Sequence, residues 1–254
     1  MPMTLKAKLA DPSLRLNAQL CVIPSATVTQ AIAAAGADLV IIDQEHAPSG
    51  LETVHAMIAA TQGTTCAPIV RIPSIDEIAV KKALDAGAEG ICFPLLRSAA
   101  DAARCVASLH YPPNGTRGWG PFIGHSRWGM SMQEYCAEAE KNLVALMTIE
   151  TVEALACIED ICRVPGVDCV IVAPFDLSTE LGVSGQFDHP DFLAAVARIE
   201  TAANTAGIPL AGLALARPQA EALIAKGYRI IAGFDILLLK GAVAQSIDWT
   251  RGAG

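Results

Sequence analysis

Directly behind several short apolar runs of this chain stand residues that do chemistry. Asp43-Gln44-Glu45-His46 follows a run ending at Ile42, Arg71 closes Pro68-Ile69-Val70, Glu150 follows a run ending at Ile149, and Asp176 comes after Ala173-Pro174-Phe175. If those runs lie side by side, acid, base and cation are aimed at one place. Two carboxylates on neighbouring runs repel unless a proton or a cation sits between them, and oxygen-only ligation suits magnesium, manganese or a similar divalent ion. An arginine ending an apolar run either pairs with a carboxylate there or binds a developing oxyanion. A histidine beside them carries protons near neutral pH, whereas His55, His110, His125 and His189 follow no such run and read as loop or surface histidines. Each group also has a plain structural use, since an Asp or Glu just before a helix often caps it or sits in its first turn. The four together point to a site.

What must position them is a sheet. Runs rich in Val, Ile and Leu recur at 19–23, 38–43, 68–72, 90–94, 143–149, 168–173, 208–213 and 229–233. Between them, Ala-rich stretches at 27–36, 51–62, 76–87, 98–109, 151–162, 191–206 and 217–226 have helical spacing, and Gly36, Gly63, Gly87 and Gly207 stand at helix ends. Continuous apolar strands alternating with helices mark a parallel sheet covered on both faces. Eight alternations in 254 residues predict a (β/α)8 TIM barrel, one domain over residues 1–254, with its chemistry at the C-terminal strand ends. A doubly wound nucleotide fold would show G-x-G-x-x-G after the first strand, and neither that motif nor a phosphate-cradling G-x-x-x-x-G-K-[ST] occurs. The connection from Tyr111 to Lys141 is long enough to be functional or part of an interface, with Pro112-Pro113 and Asn114-Gly115 predicting a turn at its start.

Composition excludes other classes. A net charge of −8 with no basic cluster predicts no nucleic-acid partner. No apolar run is long enough for a membrane span, and Met1 to Lys8 lacks an apolar signal core, which together predict a soluble cytoplasmic protein. The cysteines at 21, 66, 92, 105, 136, 157, 162 and 169 form no C-x2-C pair and read as buried thiols. With 52% apolar and 17% charged residues, some apolar surface is expected between subunits.

The rim segments, in order, resemble the HpcH/HpaI family of class II pyruvate-type aldolases. The likeness is carried by Ile42-Asp43-Gln44-Glu45-His46-Ala47-Pro48, Val70-Arg71-Ile72-Pro73, Leu84-Asp85-Ala86-Gly87-Ala88, the Tyr111 to Gly118 stretch, Ile149-Glu150-Thr151, Pro174-Phe175-Asp176-Leu177-Ser178 and His189-Pro190. The resemblance implies a homo-hexamer of barrels in which Glu150 and Asp176 hold a divalent ion (magnesium, manganese or cobalt) chelated by a 2-keto acid. It also implies that Arg71 contacts the keto oxygen, that His46 and Asp85 form the acid/base pair, and that Asp43 supports them. The backbone around Phe175 would hold the substrate carboxylate, and Leu213 would line the aldehyde side. Thr148 stands where many members carry Gln, and Ala173 and Phe175 replace the common Gly and Ala beside Pro174. These changes touch the keto-acid end, leaving pyruvate and hydroxypyruvate both open as donor.

An aldolase working through a lysine Schiff base needs a lysine on a strand inside the mouth, and none is so placed. A CoA-ester lyase of the citrate lyase β or malyl-CoA lyase type shares the enolate logic, but it requires a basic site for CoA phosphates that this sequence does not offer. A non-catalytic carboxylate-binding barrel would be expected to lack a rim residue.

Overall fold

The computed structural model describes residues 3–251; Met1, Pro2 and residues 252–254 of the expected 1–254 unit lie outside them. Eight parallel strands close into a barrel in sequence order: β1 (Leu16–Cys21), β2 (Leu39–Asp43), β3 (Ala67–Arg71), β4 (Gly90–Phe93), β5 (Val144–Ile149), β6 (Cys169–Val172), β7 (Leu210–Leu213) and β8 (Ile230–Phe234). The seam pairs β1 with β8, Leu16 opposite Ile230 through Leu20 opposite Phe234. The (β/α)8 expectation therefore holds. Strands β2 to β5 are buried at every position, which is why they read as unbroken apolar runs. β1 begins at Leu16 rather than 19 because Leu16-Asn17-Ala18 alternates buried and exposed, a pattern with no continuous apolar signal.

Around the barrel run α1 (Leu5–Ala10), α2 (Ala26–Ala34), α3 (Leu51–Ala60), α4 (Glu77–Asp85), α5 (Ala99–Leu109), α6 (Gly124–Arg127), α7 (Met132–Glu138), α8 (Val152–Ala156), α9 (Ile158–Cys162), α10 (Pro174–Glu180), α11 (Pro190–Ala206), α12 (Arg217–Ala225) and α13 (Asp235–Arg251). Ser25, Asp76, Ser98 and Thr151 cap α2, α4, α5 and α8 by accepting first-turn N–H bonds. These helices thus start at the mouth and run back toward the foot. α11 stops at Gly207, whose φ of 70° suits the left-handed C-terminal position and returns its N–H to Ala203 and Asn204. The stretch expected as one helix at 151–162 is two, broken at Cys157. The long connection opens on a turn in which Asn114 and Gly115 donate to the Tyr111 carbonyl.

Two cores result. Leu16, Leu20, Leu39, Ile41, Ile69 and Leu146 fill the barrel, with Leu5 and Leu9 of α1 joining the same cluster. A larger layer, including Ile42, Met57, Val70, Phe93 and Ile158, lies between strands and helices. All eight cysteines are unpaired, and most are buried. No helix among the described residues is long and apolar enough to cross a membrane.

α13 was not foreseen, and it differs from the rest. Its main contacts are with β1 and β8, and Ile236, Leu238, Leu239, Val243, Ile247 and Trp249 are exposed along it. A compact monomer of this mass exposes about 10,700 Å²; this chain exposes 11889 Å².

Candidate active site

The β2 and β3 ends are adjacent, with Asp43 opposite Arg71 in register. Asp43 is fully buried and organises everything near it: its carboxylate accepts from Arg71 Nε at 2.9 Å, from the Glu45 N–H at 2.9 Å and from the His46 N–H at 3.3 Å. Arg71 Nη1 lies 3.2 Å from Glu45 Oε2, within ion-pair range but without hydrogen-bond geometry, so that buried oxygen has no hydrogen-bond partner. The structural reading of Arg71 as an ion-pair partner is met by these contacts. Its Nη2 nonetheless makes no protein hydrogen bond among the described residues, and the side chain lines the cavity at the barrel mouth. The ring of His46 is largely exposed and has Glu45 at 3.7 Å. Burial pushes the Glu45 carboxyl up, Arg71 and His46 oppose this, and the charges of Asp43 and Asp176 add to it.

Glu150 is 2% exposed and is not a helix cap, for Thr151 caps α8. Its Oε1 instead accepts the backbone N–H of Leu95 at 2.5 Å. Leu95 has φ 58°, the one non-glycine residue with positive φ among those described, and such left-handed backbone collects where structure must aim a group. Burial raises the Glu150 pKa to about 7; the Leu95 N–H and Arg71 pull it down, and the charges of Glu45 and Asp176 push it up. Asp176 sits in the first turn of α10, exposed, lining the mouth, with no side-chain capping bond.

Asp43, Glu45, Glu150 and Asp176 face a single guanidinium, an excess of negative charge that a divalent cation would neutralise. No trio of metal-ligating side chains comes together among the described residues. Two carboxylates with the remaining positions left to water and substrate is, however, the usual protein contribution to a magnesium-type site. The orphaned oxygen of Glu45 and the raised Glu150 fit that group.

The cavity is open to solvent, and about 580 Å³ of space, part of it open solvent, lies in its mouth. Thr148, Pro174, Phe175 and Leu213 all line it, with Thr148 Oγ1 at 3.3 Å from Cys92 Sγ. The Phe175 ring meets Phe187 edge-on at 5.4 Å. Asp85 is elsewhere. It ends α4, which begins at the mouth and leads away from it, and its carboxylate accepts from Arg117 Nη2 at 2.7 Å. Within one chain His46 and Asp85 make no contact among the described residues; Asp85 anchors Arg117, which lies 4.7 Å over the Tyr111 ring in the long connection. Glu45 was overlooked as a site residue. Its signal was its place one residue before His46 in an otherwise polar tetrapeptide.

Residues 22–241 match the family model described as HpcH/HpaI aldolase/citrate lyase. The chain is 35% identical to a hydroxypyruvate/pyruvate aldolase of Paraburkholderia phytofirmans, over 98% of this chain and 97% of the relative. It is 31% identical to a 5-keto-4-deoxy-D-glucarate aldolase of Klebsiella pneumoniae, over 97% and 96%. The crystal structure of an HpcH/HpaI aldolase/citrate lyase family protein from Burkholderia cenocepacia superposes with a TM-score of 0.90 at 31% identity, covering 98% of this chain and 99% of that one.

Proposed function

We propose that this chain, which belongs to the HpcH/HpaI aldolase/citrate lyase family, is an aldolase that adds the enolate of a 2-keto acid, pyruvate or hydroxypyruvate, to an aldehyde and runs the cleavage in reverse. The observation that carries this reading is the side chain of Arg71, which lines the same cavity as Asp176 while its hydrogen bond to Asp43 is made through Nε. Glu150 and Asp176 would hold a divalent ion (magnesium, manganese or cobalt), which when bound supplies Lewis-acid stabilisation of negative charge on a keto oxygen.

Arg71 donates to that oxygen as its charge develops, a contribution of about 3 to 4 kcal/mol for a well-placed donor. Asp43 keeps the guanidinium oriented and, through two backbone N–H groups, also sets the path of Glu45 and His46. The backbone around Phe175 receives the substrate carboxylate, with Pro174 and Thr148 shaping that end and Leu213 bordering the acceptor. In cleavage His46 takes the proton from the 4-hydroxyl, directly or through a water, and Glu45 stabilises the imidazolium so formed. Support for an assembled form comes from the apolar surface of α13. A homo-hexamer would cover that helix, and it would give Asp85 a route to the His46 of another copy that its own chain denies it.

Exchange of the methyl protons of pyruvate in deuterated water tests the reading without any aldehyde. Metal-loaded protein is expected to exchange them, chelation to stop it and restored manganese to revive it. No exchange with any of the three ions ends the proposal.

A further inference from the structure

Two stretches that carry the family likeness, residues 84–88 and 111–118, meet outside the barrel mouth in one ion pair. Arg117 Nη2 donates to Asp85 Oδ1 at 2.7 Å and to the Tyr135 hydroxyl at 3.4 Å. The guanidinium lies 4.7 Å from the centre of the Tyr111 ring and 5.7 Å from that of Tyr135, so two aromatic rings hold it in place. Its side chain is fully buried, whereas 25% of the Asp85 side chain is exposed. The cation is inside and the carboxylate stands at the surface.

A pair that serves the fold alone would be closed, and this one is open at both ends. Arg117 Nε and Nη1 are buried without a hydrogen-bond partner, so the arrangement gives up two donors while keeping the bond to Asp85. Asp85 Oδ2 accepts no hydrogen bond among the described residues. Gly120 leaves it room, since a Cβ there would stand 3.2 Å from that oxygen. Asp85 and Gly120 line one surface cavity with Phe122 and Ile123, both exposed. Burial pushes the Asp85 carboxyl up, while the Arg117 hydrogen bond and charge, and Lys81 of the same helix, pull it down. The other ionisable groups around it are Lys82 of α4, Glu52 and His55 of α3 and Tyr135 of α7; His55 forms no ion pair with it.

The His46 ring has the complementary need. A histidine that takes a proton from a substrate works best with a carboxylate that fixes its tautomer and offsets its charge. In its own chain it has Glu45 at 3.7 Å from Nε2 and no hydrogen bond from the ring among the described residues.

We infer that Arg117 is a positioning residue, which holds one oxygen of Asp85 so that the other is presented to the His46 imidazole of a second copy of this chain. This rests on the aldolase reading above and deepens it. The substrate proton stops on His46, and Asp85 takes none.

The test follows pyruvate proton exchange in deuterated water against pH, with the metal-loaded whole protein. Arg117→Gln is expected to lower kcat about tenfold with KM little changed, the loss of one charge-assisted hydrogen bond. It should also move the acidic limb of the profile up by about one pH unit, because burial then acts on Asp85 without its guanidinium. Arg117→Lys restores the charge and should bring the limb most of the way back. Added to Asp85→Asn, Arg117→Gln should lower exchange no further. Arg117→Gln co-expressed with His46→Ala should exchange faster than either variant alone, because Arg117 serves the copy that supplies Asp85 and not the copy that supplies His46. Gly120→Ala leaves the ion pair in place and crowds Oδ2, so it tests the same oxygen without loss of a buried charge; kcat should fall about threefold. Wild-type rate and limb in Arg117→Gln, no gain on co-expression, or an unchanged rate in Gly120→Ala each overturn the inference and leave the aldolase reading standing. Wild-type protein without exchange removes both.

Discussion

The barrel mouth has two arcs, which share one cavity and are built on opposite principles. From β2 to β6 it carries Asp43, Glu45, Arg71, Thr148, Glu150 and Asp176; from β7 through β8 to β1 the cavity is bounded by Leu213, Ala232, Phe234 and Leu20. In the polar arc the groups other than the exposed Asp176 are held by one another: Asp43 grips Arg71 and two backbone N–H groups, Arg71 lies against Glu45, and Leu95 fixes Glu150. In the apolar arc Leu20, Leu213 and Phe234 offer shape and no directed bond. Chemistry that develops charge needs the first kind of surface, because preorganised donors act without rearranging during the reaction. A wall that only shapes the cavity needs no more than the second. A substitution in the polar arc should therefore spread to its neighbours and slow every substrate, while one in the apolar arc should stay local.

The sharpest break of that comparison is Arg71→Ala. It removes the oxyanion donor and leaves the buried carboxylate of Asp43 without its guanidinium. Pyruvate proton exchange should fall by about a thousandfold, in line with the loss of one strong donor. Arg71→Lys should recover little of it, since a lysine cannot hold Asp43 and serve the cavity through separate nitrogens. Near-normal exchange in Arg71→Ala would move the donor role elsewhere. His46→Ala comes next, with cleavage and exchange both lowered about a hundredfold; unchanged exchange would take His46 out of the proton path.

Glu150 converts the comparison into a pH measurement. Its folded pKa is raised to about 7 from 4.5, so between those values the native state retains a proton that the unfolded chain has lost. Stability of the metal-free protein therefore falls as pH rises through that window and levels off above it, by up to about 3 kcal/mol. Urea unfolding at pH 4.5 and pH 8 should show the decline, and Glu150→Gln should flatten it. A saturating divalent ion should reverse the trend above pH 7, because the ion favours the ionised carboxylate. A slope unaltered in Glu150→Gln would mean that some other buried acid is responsible.

How much of this was readable in the sequence follows from the same contrast. β2, β3 and β5 are buried on both faces, so their apolar runs are continuous, and a polar residue at the end of such a run stands out; this is what marks Asp43, His46, Arg71, Glu150 and Asp176 as candidates in the sequence. The apolar arc gave no such signal, since Leu20 and Phe234 look like any core residue until the barrel closes and brings β8 beside β1. α13 was missed because Ile236-Leu237-Leu238-Leu239 is apolar at consecutive positions and has no 3.6-residue rhythm. Asp85 shows a different limit. A motif gives the order of residues along the chain but not the direction of the helix that carries them, and α4 leads Asp85 away from the mouth.

The smallest expected effect tests whether the polar arc is held by backbone as well as by side chains. Leu95 spends nothing on packing that its position requires, for its side chain is exposed while its N–H meets Glu150. Left-handed backbone costs a non-glycine residue on the order of 1 to 2 kcal/mol, and a β-branched side chain tolerates it least. Leu95→Val should therefore draw the loop toward extended backbone and withdraw the N–H from Glu150, weakening manganese binding about three- to fivefold as followed by electron paramagnetic resonance. Leu95→Gly keeps the donor and the left-handed conformation, so its manganese affinity should stay within about twofold of wild type, with the relief of strain opposed by the greater freedom of an unfolded glycine. Equal binding by the valine and glycine variants would show that Glu150 holds its place without the Leu95 N–H, and the interlocking ascribed to the polar arc would then stop at Asp43, Glu45 and Arg71.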